Sequence, residues 1–486
     1  MLYFVRTVKQ YIIKGRGRDN EMASAASIRR HHPHDIDMTV GSIPSLLIRF
    51  AIPMLIGNLF QQLYNTVDSW VVGNYVSKTA FAAVGNVGPI LNTAIGFFSG
   101  FATGAGVVIG QYSGAKDEKR LSDTVSTTMF VSLILCVFFT VVCTLTVPFM
   151  LDVMNMPAES VSNVRADAAL YLRIYFIGMS GLMLYNIGAG IMRAVGNSTI
   201  PLVALIISAV INIVLDLTFV LGLGMGVEGV ALATVIAQAG SALFILGFLT
   251  ISKAPYRIIW HRLHIDTAIL RKIIRIGIPT ALQLAITAFS NVFVQSYINA
   301  FGDDCMAGWS AYNKIDAFAM LPMQSISLAV TTFVSQNYGA GQPERSRRGA
   351  VTGIIISCII TVVLIVPIMI FAGGLVSFLN SDGQTVYYGS LFLRYISPFY
   401  LLCLFNQIIA GVLRGAGESR APMLIMLGSF VAFRQLYLFV LSHLTDSVLV
   451  ITFAYPAGWA LCSLIMYIYY KFAPWERHYL EMARGE

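Results

Sequence analysis

LVALIISAVINIVLDLTFVL, residues 202–221, decides how the rest of the chain is read. It is almost wholly apolar, with one amide, Asn212, and one carboxylate, Asp216. At 1.5 Å per residue a run of this length crosses the ~30 Å hydrocarbon core of a bilayer as one helix. The two polar residues are four apart, so they stack on one face of that helix, one turn above the other. An ionised Asp at that depth costs roughly 2.5–3.5 kcal/mol on insertion scales. A chain that keeps one there has a partner for it or a use for it.

Composition points the same way. The chain has 486 residues, 57% hydrophobic and 12% charged, with a mean hydropathy of +0.73. Soluble domains carry about 25% charge, so this is an all-α polytopic membrane protein. The net charge of +8 is no nucleic-acid signature, because the basic residues fall in loops between apolar segments. Cys136, Cys143, Cys305, Cys358, Cys403 and Cys462 show no CxxC spacing and read as small core residues.

Residues 1–41 are basic and form an N-terminal extension without a signal-peptide pattern. Met1 to Ile13 is a candidate interfacial helix. The His31-His32-Pro33-His34-Asp35 cluster reads better as a solvated tail than as a metal site, because Pro breaks helical spacing. From Ile43, twelve spans of crossing length follow, at about 44–75, 80–110, 122–150, 166–193, 199–222, 227–251, 268–300, 306–337, 347–372, 386–413, 420–441 and 447–472. Basic residues crowd alternate loops: Lys116, Lys119 and Arg120, then Arg193, then Lys253 to Arg275, then Arg345, Arg347 and Arg348, then Arg414 and Arg420. By the positive-inside rule these loops and both termini are cytoplasmic, in a cell (inner or plasma) membrane.

The chain also repeats. Tyr171-Leu-Arg-Ile through Arg193-Ala-Val-Gly-Asn-Ser-Thr-Ile-Pro201 aligns without gaps with Phe392-Leu-Arg-Tyr through Arg414-Gly-Ala-Gly-Glu-Ser-Arg-Ala-Pro422. Ala51-Ile-Pro53 echoes Gly277-Ile-Pro279, and Gln111-Tyr-Ser-Gly-Ala115 echoes Gln336-Asn-Tyr-Gly-Ala340. Six spans per copy give both copies one orientation, related by an axis along the membrane normal. The expected units are a six-helix bundle over 42–252, a cytoplasmic linker over 253–267, a second bundle over 268–472 and a tail over 473–486. Two bundles with a seam between them suit an alternating-access carrier.

Depth can be counted. Asp68, Asp216 and Thr234 each lie roughly 10 Å from the outer end of spans one, five and six, and Asn212 is one turn deeper. Gln61, Tyr64, Asn65 and Asp68 form one face of span one, which cannot cheaply look at lipid. Pro53 and Gly57, lower on that helix, are a plausible bend point. These polar residues are either glue between packed helices or a hard-oxygen site for a small cation. Na⁺ suits such ligands, and two carboxylates sharing a buried site also suit a proton. The ungapped repeat sets Phe433 and Tyr437 opposite Asn212 and Asp216, and Val294 opposite Asp68. The second half offers Lys314, Asp316 and Arg434 instead. Arg434 is expected to snorkel or to pair with Asp316 as a structural bridge, or else to be a cavity charge that tunes substrate choice.

These residues resemble those of the multidrug and toxic compound extrusion (MATE) family, of prokaryotic type, from about Thr39 to Tyr470. The resemblance is carried by Pro53, Gln61, Tyr64 and Val67-Asp68-Ser69, by Gly110-Gln-Tyr-Ser-Gly-Ala115, by Arg193-Ala-Val-Gly-Asn197, and by the spacing of Asn212, Asp216 and Thr234. It implies a V-shaped fold of two pseudo-symmetric six-helix bundles, exporting organic, cationic or amphipathic compounds against Na⁺ or H⁺. It implies that Asp68, Asn212, Asp216 and Thr234 hold the coupling cation, and that Gln61, Tyr64 and Asn186, beside Asn65, line a drug chamber. Where some members carry acids in spans seven and ten, this chain has Gln283 or Thr287 and Cys403 or Gln407. The expected partners are a small organic molecule, the coupling cation and lipid, with no cofactor, for a monomer. The alternatives are a lipid-linked saccharide flippase of the same superfamily, whose chamber should be cationic, and an integral-membrane enzyme. Against the enzyme stand the missing HExxH and phosphate loop, and no evident Ser/His/Asp set near a membrane face.

Overall fold

The computed structural model describes residues 35–76, 78–153 and 164–473. Hydrocarbon offers backbone groups no partner, so apolar runs of this length close their hydrogen bonds internally as helices. Twelve helices have crossing length and composition: α1 (Ile43–Val76), α2 (Ala83–Gly114), α3 (Glu118–Asp152), α4 (Val164–Ala194), α5 (Thr199–Gly222), α6 (Val227–Ile251), α7 (Thr267–Asn299), α8 (Asp303–Gly339), α9 (Pro343–Ile370), α10 (Gly383–Gly415), α11 (Arg420–Ser442) and α12 (Val448–Phe472). Among the described residues there is no strand. The twelve are those expected, in order; the irregularities were not expected. A short helix, Ala372–Leu379, precedes α10, and α10 carries a 3₁₀ turn at Ser397–Phe399, where Pro398 lacks an amide hydrogen. Segments of π-helix end α1 at Val72–Val76 and α5 at Leu217–Gly222, and interrupt α11 at Gly428–Phe433. The candidate helix over 1–13 and the histidines at 31–34 lie outside the described residues.

The repeat is visible in the backbone. After α4, Gly196 at φ +92° donates to the Arg193 carbonyl, and the Asn197 amide to Met192. After α10, Gly417 at φ +97° donates to Arg414, and Glu418 to Leu413. Both are glycine caps of the Schellman kind, which need the left-handed region.

Within the first half α4 packs on α2, α3 and α6, and α5 packs on α1 and α6; within the second, α8 packs on α9 and α10, and α12 on α10 and α11. The halves meet along α2–α7, α2–α8 and α1–α8. Gly96, Gly100 and Gly104 of α2 form a small-residue stripe against α7. A Cβ on Gly100 would lie 2.3 Å from the Ala281 Cα, and one on Gly104 would lie 2.2 Å from the Gly277 Cα. At the ends of α2 and α8 the contact is two-fold. A Cβ on Gly114 would meet the Gln336 carbonyl oxygen, and one on Gly339 the Gln111 carbonyl oxygen, both at 1.9 Å. Toward the other end of α2, Gly85 and Gly88 have nothing within 4 Å. The halves are thus closed at the end that carries the basic loops and parted at the other, which is the V.

A strap, residues 35–41, crosses the closed end. Asp35 accepts from Asn197 Nδ2 at 2.9 Å and from the Tyr256 hydroxyl at 2.8 Å, and the Ile36 amide donates to the Gly196 carbonyl. All three partners belong to the first half or the linker. Three residues on, the Met38 amide donates to Gln336 Oε1 at 3.0 Å, its carbonyl accepts from Asn337 Nδ2, and Arg345 donates to the Gly41 carbonyl. Those partners belong to the second half. Met38 itself is fully buried.

Candidate functional site

Two small residues let α5 approach its neighbours. A Cβ on Gly57 of α1 would lie 2.9 Å from the Leu205 side chain of α5, so the two helices close at glycine. The Ser208 hydroxyl of α5 donates to the Ala237 carbonyl of α6 at 3.0 Å and fixes their relative height. Higher up, this arrangement brings the four predicted oxygen-bearing side chains together. Asp68 of α1 interacts with Asp216 and Asn212 of α5 and with Thr234 of α6. The Thr234 hydroxyl is 3.4 Å from Asp68 Oδ2 and 3.0 Å from the Val230 carbonyl of its own helix.

Asn212 and Asp216 are wholly buried. Asp68 Oδ1, both Asp216 carboxylate oxygens and both Asn212 side-chain polar atoms have no hydrogen-bond partner among the described residues. Leaving such groups unpaired costs about 1–3 kcal/mol each, and more when charged. Two carboxylates, an amide oxygen and a hydroxyl are hard-oxygen donors, the set that Na⁺ takes, and two neighbouring carboxylates can equally share a proton.

Around this quartet stands an aromatic wall. Tyr64 of α1 is buried beside Gln61, Asp68, Tyr175 and Tyr185. Tyr171 and Tyr175 of α4 stack with ring centroids 6.1 Å apart, within electrostatic reach of the carboxylates. Gln238 of α6 donates to the Tyr175 hydroxyl at 3.2 Å. Tyr171, Tyr175 and Gln238 were missed in the sequence; the i, i+4 tyrosine pair in an apolar span is the signal that points to them. Asn65 is exposed beside the stripe. Asn186 turns toward α2, its Oδ1 3.4 Å from the Ser99 hydroxyl and its amide on the Leu182 carbonyl. Pro53 lies within an unbroken helical stretch, Ile43–Val71.

The second-half charges do not assemble as expected. Asp316 accepts from the hydroxyls of Tyr312 and Tyr400. Arg434 instead reaches α7, donating to Ser290 Oγ and Asn291 Oδ1, both at 2.9 Å, and its guanidinium lies 4.7 Å from the Tyr455 ring centroid. The expected Arg434–Asp316 bridge is therefore not formed: each group already has other partners. Lys314 is exposed. One further expectation is corrected at the membrane face. Ser126 Oγ lies 3.2 Å from His264 Nδ1, and His264 Nε2 lies 3.5 Å from Asp123. This resembles a Ser/His/Asp set, but the Ser126 hydroxyl also accepts from the His264 backbone amide at 2.9 Å and so fastens the linker to α3.

Comparison with known proteins agrees with the twelve-helix, two-half fold. The family model described as MatE matches twice, over residues 53–218 and 279–437, once in each half. The chain is 30% identical over 436 residues to the probable multidrug resistance protein YoeA of Bacillus subtilis, covering 88% of this chain and 93% of that one. It is 23% identical over 431 residues to the multidrug export protein MepA of Staphylococcus haemolyticus, covering 88% and 94%. Among solved structures, a MATE in complex with MaL6 superposes with a TM-score of 0.83 at 23% identity over 93% of this chain and 99% of that one. The outward-facing conformation of a multidrug resistance MATE family transporter of the MOP superfamily gives the same TM-score over 94% of this chain and 100% of that one.

Proposed function

The chain belongs to the MatE family, the multidrug and toxic compound extrusion transporters, and from that premise we propose that it exports bulky organic compounds, cationic or amphipathic, in exchange for Na⁺ or H⁺. The observation that carries the proposal is the quartet on α1, α5 and α6, two carboxylates, an amide and a hydroxyl gathered beside an aromatic wall. The names of YoeA and MepA support the substrate class. The acidic site sets this reading above a saccharide flippase, whose chamber is expected to be cationic.

In the proposed cycle a cation enters from the parted end of the V and neutralises Asp68 and Asp216. With the charge gone, α1, α5 and α6 draw together, α1 bends near Pro53 and Gly57, and the chamber lined by Gln61, Tyr64, Asn65 and Asn186 changes shape and releases the organic compound outward. The cation drives this only as far as it binds the two states differently. The basic loops and both termini are taken as cytoplasmic, in a monomer of the cell membrane. The test is efflux of a fluorescent organic cation from vesicles under an imposed Na⁺ gradient and, separately, an imposed pH gradient. One of the two should drive it; flux indifferent to both ends the proposal.

A further inference from the structure

The second half has a counterpart of the quartet, hidden from an ungapped alignment by one residue. α5 and α11 begin at equivalent positions, Thr199 and Arg420. Up to the middle of the span all but one of the buried residues of α5 match buried residues of α11 at a constant offset: Pro201 with Pro422, Leu205 with Met426, Ser208 with Ser429, Ala209 with Phe430. α11 then takes on its π segment, Gly428–Phe433, before Arg434, whereas α5 stays α-helical through Asp216. A π segment accommodates one extra residue in a turn and so advances everything after it by one. The burial shows the shift. Arg434 and Leu438 are the buried positions of α11 beyond it, as Asn212 and Asp216 are in α5, and the exposed and half-buried residues between them fall in the same order. Arg434, not Phe433, stands where Asn212 stands, and Leu438, not Tyr437, where Asp216 stands.

The neighbours correspond as well. Ser290 and Asn291 of α7 occupy the positions of Tyr64 and Asn65 of α1, by the register that aligns Pro279 with Pro53. Tyr455 is the eighth residue of α12, as Thr234 is the eighth of α6, and both helices have 25 residues. Three helices therefore meet at the same place in each half. In the first they bring two carboxylates together. In the second they bring a guanidinium, only 3% exposed, held by α7 and lying over the α12 ring. No carboxylate of the described residues is in salt-bridge distance of Arg434, so balancing an acid does not explain it.

We propose that Arg434 is the second half's own cation: it permanently occupies the place that a coupling ion takes in the first half, so that ion binding rearranges the first half alone. A guanidinium suits the task because its planar fork bridges two acceptors while stacking on a ring, and it stays charged. It binds α7, α11 and α12 as one body. The inference rests on the cation-site reading of Asp68, Asn212, Asp216 and Thr234.

The test measures two distances in the full-length protein in lipid, with and without Na⁺ and at two pH values. One pair of labels, at Tyr75 and Leu223, reports the first half; the other, at Asn299 and Leu444, reports the second. In the wild type the first distance should shift with the cation and the second should not. Arg434→Met should broaden the second distribution, and Arg434→Lys should restore part of its narrowness. The decisive variant joins Val294→Asp, Leu438→Asp and Tyr455→Thr to Arg434→Asn, which rebuilds the first-half chemistry in the second half. Its second distance should become cation-dependent, an outcome that a mere structural brace does not give. A wild-type second distance that moves with the cation overturns the assignment of Arg434, and that measurement needs no variant to fold. A first distance that ignores both ions instead overturns the cation site beneath it.

Discussion

Replacing Gly104 with alanine places a methyl group where α7 already runs. Its Cβ would stand 2.2 Å from the Gly277 Cα and 2.4 Å from the Gly277 nitrogen. Both are backbone atoms, so no side chain can turn aside, and ordinary contact requires the helices to part by more than an ångström. Overpacking of this kind costs about 1–3 kcal/mol. The cost falls on the conformation in which α2 and α7 touch and is relieved where they separate. It therefore shifts the balance toward a state open at the basic-loop end by about 5- to 150-fold. Ser335, buried at the floor of the seam between the halves, is the reporter: Ser335→Cys should react with a membrane-impermeant thiol reagent applied to that face faster in Gly104→Ala than in its parent. Gly85→Ala, on the same helix with nothing within 4 Å, is the matched control and should leave the rate unchanged. Equal labelling in Gly104→Ala and the control would falsify the closed glycine seam.

Three further outcomes are expected. Asp68→Asn should weaken the cation dependence of efflux by about 10- to 150-fold, the worth of one charged interaction of 1.5–3 kcal/mol, at unchanged protein level in the membrane; unchanged ion-driven efflux would remove Asp68 from the site. Thr234→Val, which loses a neutral hydroxyl 3.4 Å from Asp68, should reduce it only about 2- to 10-fold, so a complete loss would give Thr234 a larger part than its geometry supports. Asp35→Ala should loosen the strap, read as faster proteolysis ahead of α1. Burial and then the Asp35 carboxylate push the Tyr256 phenol well above the usual tyrosine range. Its neutral form is thus favoured in the folded protein, and that stabilisation is full below the ordinary tyrosine range and is lost as pH rises through and beyond it. A Tyr256 absorbance titration that does not move downward in Asp35→Ala contradicts the contact.

The quartet was legible because a lone amide or acid in an apolar span is conspicuous and because depth follows from counting residues. Tyr171, Tyr175 and Gln238 were not, since an aromatic or a single amide in a membrane helix is ordinary packing material until its neighbours are known. The stripe of Gly96, Gly100 and Gly104 is plain in the sequence, yet it says only that some helix comes close; that the helix is α7, across the seam, belongs to the tertiary structure. Arg434 was visible as a charge but misplaced by one position, because the π segment that moves it has no composition of its own. The strap escaped notice for a related reason: residues 35–41 have no periodic pattern, and most of their bonds are made by backbone groups.

That strap is also a leash of fixed length. Its last first-half anchor is Ile36 and its first second-half anchor is Met38, and two residues drawn fully taut reach about 7 Å. While both anchors hold, the mouth at this end can gape no wider than that. A larger opening obliges one of them to let go. Cargo fused directly ahead of Asp35 would ride on this leash, so its bulk would bear on the gate.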